Sequence, residues 1–255
     1  LTMSMLDVQN LSIHFGGVKA VNDVSFKIDP GMIYAVIGPN GAGKTTLFNL
    51  ITGVYKPTTG TIKLNGEEIQ GKSSDELARR SMARTFQNLQ VCMNMSALEN
   101  VMVGAHLRLD RNLIKGALHL PSITRRDAEL REEAAELMRF VGLGGQIGAR
   151  ADSMSYGALK RLEIARALAM QPKLLFLDEP AAGLNHTETH EIDELIRKVA
   201  ESGVTCVLVE HDMKMVMNLS QRILVLDYGR KLAEGTREEV RNNPDVIAAY
   251  LGAHA

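Results

Sequence analysis

The run Gly38-Pro-Asn-Gly-Ala-Gly-Lys-Thr-Thr46 constrains this chain more than any other stretch. It fits the pattern G-x-x-x-x-G-K-[ST], with Gly38, Gly43, Lys44 and Thr45 on the fixed positions. Met32–Ile37 before it reads as a buried strand, and Leu47–Ile51 after it as the first turns of a helix. Strand, glycine turn and helix in that order form a phosphate-cradling unit. Glycines let the backbone curl through Gly38, Pro39, Asn40, Gly41, Ala42 and Gly43, so that N–H groups from there to Thr46 point at phosphate oxygens. The helix start adds partial positive charge, and Lys44 adds a full one toward the β- and γ-phosphates. The Thr45 hydroxyl is placed to ligate Mg²⁺. The expectation is a nucleoside triphosphate site.

The flanking chain suits an α/β fold. Leu6–Phe15 and Val18–Ile28 alternate partly between apolar and polar residues around Gly16-Gly17, which predicts two strands joined by a glycine turn. Thr61–Leu64 reads as a strand ending in the tight turn Asn65-Gly66. Helical signals follow over Ser74–Arg84, then an irregular segment, Thr85–Met95. Ser96-Ala-Leu-Glu99 opens another helix with a capping box. Pro121–Val141 reads as a charged helix. Its expected buried face is Leu130, Ala134, Leu137 and Val141, and Arg125, Arg126, Glu132 and Glu136 form its solvated face. Further on, Leu174–Leu177, Val204–Val209 and Ile223–Asp227 read as buried strands, with a helix over Thr187–Ser202. Thr236-Arg-Glu-Glu239 is a capping box, and Asp245 starts the last helix. Strand–helix alternation implies a mostly parallel sheet, and the helix-rich middle suggests an inserted helical subdomain at about 88–165.

Composition narrows the function. A net charge of −1 over 255 residues gives no general pull toward nucleic acid or anionic lipid. The sequence has no run of 18 apolar residues, and Leu1–Asp7 lacks a signal-peptide pattern. Cys92 and Cys206 lack metal-ligand spacing, and Cys206 reads as a buried small hydrophobe. A cytosolic, reduced protein is expected. Leu174-Leu-Phe-Leu-Asp-Glu-Pro180 is an apolar strand delivering two carboxylates to a sheet rim. Asp178 suits the Mg²⁺ shell, which leaves Glu179 to polarise an attacking water as general base. No Asn-Lys-x-Asp run that would read guanine occurs.

Taken together, these motifs resemble the nucleotide-binding subunits of ABC transporters over nearly the whole chain. Arg84-Thr-Phe-Gln87 resembles the family's Q-loop, which implies that Gln87 touches Mg²⁺ or water. Met154-Ser-Tyr-Gly-Ala158 sits at the signature motif, and Ala182-Gly-Leu-Asn185 at the D-loop. Val209-Glu-His211 resembles the switch histidine, and Phe15 matches the aromatic that stacks on adenine, although alone it reads as core. Tyr156 and Ala158 depart from the usual signature Leu-Ser-Gly-Gly-Gln, and Asn185 replaces the usual aspartate. Ser155 and Gly157 remain, supplying the hydroxyl and close backbone that γ-phosphate binding needs.

What the resemblance implies is a P-loop ATPase fold. It would have a core over 1–87 and 166–255, an N-terminal antiparallel β subdomain and an inserted α-helical subdomain. It implies ATP and Mg²⁺ as ligands, and a second ATPase subunit, identical or different, closing over two ATP molecules. The implied partners are two integral-membrane permeases and, indirectly, an external binding protein, with the chain peripheral on the cytoplasmic face of the inner or plasma membrane. The C-terminal Gly229–Thr236 and Asn242–Gly252, with Glu179–Asn185 and Glu210–Lys214, are most similar to the branched-chain amino acid importers. Urea and amide importers and the lipopolysaccharide-export ATPase share part of the pattern. A soluble ABC ATPase of DNA repair or translation would carry long coiled coils or tandem cassettes, which this sequence lacks.

Overall fold

The computed structural model of the chain describes residues 4–108 and 121–252. Leu1–Met3 of the N-terminal stretch, residues 109–120 and the Arg125 side chain lie outside the described residues.

The described strands form two sheets. In the first, β1 (Leu6–Phe15) lies between β2 (Val18–Ile28) and β4 (Thr59–Leu64), all antiparallel, with the short β5 (Glu67–Glu68) at the edge. The second runs in the order β10-β9-β3-β8-β7-β6. Its parallel members are β3 (Ile33–Ile37), β6 (Met82–Arg84), β7 (Leu174–Asp178), β8 (Thr205–Val209) and β9 (Arg222–Asp227). Only β10 (Arg230–Gly235) is antiparallel, returning from β9 through a tight turn.

Every residue of β3, β7 and β8 is buried, as apolar-rich strands covered on both faces require; the polar exceptions are Asp178 at the end of β7 and Thr205 at the start of β8. Their alternation divides the core. Ile33, Ala35 and Ile37, with Leu175 and Leu177, join the helices on one face. Tyr34, Val36, Leu174 and Phe176 face the antiparallel sheet and α1 (Lys44–Ile51), where Phe48 packs edge-on against Phe176. Each such fully buried large side chain contributes ~1.5–3 kcal/mol.

Helices α2 (Ser74–Ala78), α3 (Ala97–Gly104), α4 (Pro121–Phe140), α5 (Tyr156–Leu168), α6 (His186–Glu201), α7 (Met213–Leu219), α8 (Arg237–Arg241) and α9 (Pro244–Gly252) complete the described α-helices, with three short 3-10 turns between them. The capping boxes expected at Ser96–Glu99 and Thr236–Glu239 are formed. Two expectations are corrected. The helical reading of Ser74–Arg84 fails after Ala78: Ser81 takes a left-handed φ of 62°, and Met82–Arg84 pair with β7 as an edge strand. The buried face of α4 is Leu130, Ala134 and Met138, continued by Val141 just past its end, with Leu137 only partly covered. β10 carries no signal in the sequence, because its residues are mostly half-buried or exposed and form no apolar run.

Register then assembles the site. Val36 pairs with Val209, and Val209 with Asp178, while Arg84 pairs with Phe176. The chain leaving β3, β7, β8 and β6 therefore emerges at one rim, where open α/β sheets bind ligands. Those exits carry the glycine loop, Glu179, His211 and Gln87 respectively.

Candidate nucleotide site

The glycine loop has the backbone its sequence demands. Gly38 has φ 152° and Gly43 φ 98°. A Cβ at Gly38 would run into the Leu226 carbonyl, and one at Gly43 would lie 2.5 Å from the Ala20 carbonyl oxygen. Only glycine fits either place. The N-terminus of α1 has no side-chain cap and no acidic residue in its first turn. By contrast, Ser96, Ser155 and Asn185 cap α3, α5 and α6. Uncapped N–H groups at a helix start are an anion site. A cavity of about 560 Å³ opens on them, lined by Val18–Ala20, Asn40–Thr46, Gln87, Glu179 and Tyr228-Gly229. A second, of about 890 Å³, lies along Gly38–Ala42 between His211, Tyr228 and the α9 residues Ala248–Tyr250.

Lys44 is buried and donates to the Gly38 carbonyl (2.7 Å) and the Pro39 carbonyl (3.1 Å). Burial lowers its pKa, and the nearby Glu179 carboxylate opposes that shift. The ammonium is thus already held in the loop that phosphates would enter.

Glu179 adopts a left-handed φ of 48°, which is strained for a non-glycine residue. This sharp turn after β7 brings its carboxylate to the cavity. One oxygen accepts from Gln87 Nε2 at 3.0 Å, and the other lies 3.7 Å from His211 Nδ1. Gln87 and His211, from two other strand exits, thus converge on the Glu179 carboxylate. Beneath them Glu210 is buried. Its oxygens accept from the Ala181 N–H (2.9 Å) and the His211 N–H (3.2 Å), fixing both loops, and burial raises its pKa.

Asp178 is buried and bonded to Arg84 Nη2 at 2.7 Å. Arg84 also donates to Asn49 Oδ1 (2.7 Å) and Thr52 Oγ1 (2.9 Å), and its guanidinium lies over the Phe86 ring. This pair was not foreseen, since nothing local in Arg84-Thr-Phe-Gln87 signals a partner 94 residues away. Magnesium usually takes one or two carboxylates plus phosphate oxygens and water. Thr45, Gln87 and Asp178 offer hard oxygen donors of that kind. Among the described residues no cluster of three His, Cys, Asp or Glu could hold a metal alone. The donor set fits an ion that arrives with phosphate.

Phe15 is 46% exposed at the β1–β2 tip, edge-on to Tyr55, and lies outside both cavities. Its reading as core is overturned; it is free to stack on a planar ligand. Tyr228, 87% exposed beside the loop, was also missed, because a turn tyrosine carries no sequence signal. Ser155 and Gly157 stand apart from both cavities at the start of α5, where the Ser155 hydroxyl accepts from the Ala158 N–H at 3.3 Å. The departures have local reasons. The Tyr156 ring covers Gly183, and Ala158 is buried. Asn185 caps α6 through the Glu188 N–H, a task asparagine performs as well as aspartate.

Comparison with known proteins agrees with this geometry. A family described as "ABC transporter" matches residues 21–182, and one described as "Branched-chain amino acid ATP-binding cassette transporter" matches residues 230–255. The chain is similar to the high-affinity branched-chain amino acid transport ATP-binding proteins BraF of Pseudomonas aeruginosa and LivG of Escherichia coli. Each is 46% identical over 253 residues, with 99% of both chains covered. Among solved structures it resembles the ADP conformation of an ATP-binding cassette of an ABC transporter. There the TM-score is 0.86 at 32% identity, covering 98% of this chain and 100% of that one. The chain belongs to the ATP-binding subunits of ABC transporters.

Proposed function

We propose that this chain binds and hydrolyses ATP to power an importer of branched-chain amino acids. The observation that carries the hydrolytic reading is the convergence of Gln87 and His211 on the two oxygens of Glu179 at the mouth of the phosphate cavity. The amino acid assignment is supported by the names of the relatives and by the C-terminal match over residues 230–255.

In this reading the loop from Gly38 to Thr46 wraps the phosphates, and Lys44 swings from its carbonyls onto the β- and γ-phosphates. Phe15 stacks on the adenine. Glu179 takes a proton from the attacking water, held in line by Gln87 and His211, and His211 reads the γ-phosphate. Thr45, Asp178 and Gln87 would hold Mg²⁺, which would supply charge neutralisation on the phosphate oxygens. Ser155 and Gly157 serve the neighbouring subunit, so each ATP lies between one glycine loop and the opposing signature. The helices within 88–165 act as a subdomain that moves with the permeases.

The partners are a second ATPase subunit, identical or different, two integral-membrane permeases and, indirectly, an external binding protein. The chain sits peripherally on the cytoplasmic face of the membrane. No helix among the described residues is long and apolar enough to cross a membrane, in keeping with that placement. ATP acts as a differential ligand, because only the closed pair makes both sets of contacts.

Reconstitution in vesicles with candidate permeases and binding protein tests the proposal. ATP-dependent accumulation of leucine, isoleucine or valine is expected. Accumulation of urea or a short amide instead would overturn the substrate assignment, and hydrolysis without any association with permeases would overturn transport.

A further inference from the structure

Helix α5 buries two charged side chains that the hydrolytic chemistry does not use. Lys160 is 3% and Glu163 5% exposed. Burying a charge is costly unless it is bonded, and an apolar residue would fill either place more cheaply. Together with Arg166 they stand at three-residue spacing, on one face of the helix. That face meets the main chain after β6. Lys160 Nζ donates to the Gln87 carbonyl at 3.3 Å. Glu163 Oε1 accepts from the Phe86 N–H at 3.4 Å, and Arg166 Nη1 donates to the Gln90 carbonyl. The Phe86 N–H and the Gln87 carbonyl are therefore held from the same helix, by charges of opposite sign. The segment lies outside any strand or helix, so these bonds take the place of a ladder. The Gln87 side chain projects from this clamped stretch to reach Glu179 at 3.0 Å.

We propose that Lys160 and Glu163 are positioning residues that hold the Phe86–Gln87 backbone so that the Gln87 amide meets Glu179. The proposal rests on the assignment of Gln87 and Glu179 to the hydrolytic site.

The test combines hydrogen exchange on the purified full chain with hydrolysis by the assembled transporter. Lys160→Met or Glu163→Ala should speed amide exchange over residues 85–91 about tenfold, while β7 and β8 keep wild-type protection. Glu163→Gln keeps a carbonyl for the Phe86 N–H and should stay within about twofold of wild type. In hydrolysis, Lys160→Met should lower kcat about tenfold with KM within about twofold. In a Gln87→Ala background the same change should have little further effect, because the two residues act through one group. Unchanged exchange over 85–91, or an equal loss of kcat in both backgrounds, overturns the proposal. Should Glu163→Ala not fold, Glu163→Leu fills the volume without an acceptor and takes its place. Full kcat in Gln87→Ala alone would refute the role given to Gln87, and the exchange result would still decide the clamp.

Discussion

Replacing Arg84 by methionine is expected to destabilise the chain by about 3–5 kcal/mol, the usual cost of stranding one partner of a buried ion pair. The structure supports the upper part of that range. Arg84 and Asp178 side chains are 8% and 5% exposed, and their bond is 2.7 Å long. Without the guanidinium, Asp178 loses that partner, and the donors to Asn49 Oδ1 and Thr52 Oγ1 disappear as well. Thr52 keeps its own bond to the Phe48 carbonyl, so its loss is partial. Methionine retains an apolar stem against the Phe48 and Phe86 rings, which keeps the measured effect electrostatic rather than a matter of packing. Urea unfolding followed by circular dichroism would give the free energies of Arg84→Met, Asp178→Asn and the double variant. The double variant should recover about 1–3 kcal/mol relative to the sum of the singles. Strict additivity, or a loss under about 1 kcal/mol for Arg84→Met, would refute the view that Arg84 neutralises Asp178 in the folded chain.

Two further outcomes follow from the site. Lys44→Ala should weaken binding of a fluorescent ATP analogue about 10–100-fold, since it removes a charge-assisted bond to phosphate; a titration with unchanged affinity would contradict the role of Lys44. Burial raises the Glu210 pKa above 4.5, so above that pH the native chain keeps a proton that the unfolded chain has lost. Stability from this group is therefore full below 4.5 and is lost as pH rises through the raised value. Glu210→Gln, despite a constant penalty at the His211 N–H, should shift its Tm relative to wild type upward between pH 4.5 and 7. A pH-independent difference would contradict it.

The elements readable from the sequence were those with local causes. The glycine loop, the apolar runs of β7 and β8 and the boxes at Ser96 and Thr236 each carry their reason within a few residues. What escaped was decided by distant partners. Met82–Arg84 became a strand because β7 offers an edge to pair with, and β10 because β9 does. Gln87, Glu179 and His211 are legible as members of one site, but the meeting of the other two on the Glu179 carboxylate depends on sheet order and register. The Arg84–Asp178 pair and the α5 clamp join residues far apart in the chain, and a charged residue in a helix gives no sign that it is buried.

In the proposed reading Glu179, held by Gln87 and His211, is the base in this chain's half of the ATP site. The most direct measurement is single-turnover ATP hydrolysis by Glu179→Gln, with nucleotide affinity determined on the same sample. Glutamine keeps the shape and an acceptor for Gln87 but cannot take the water's proton. Hydrolysis should fall by about 10²–10⁴-fold, while ATP binds with affinity within about threefold of wild type. Hydrolysis near the wild-type rate, with binding intact, would contradict the claim.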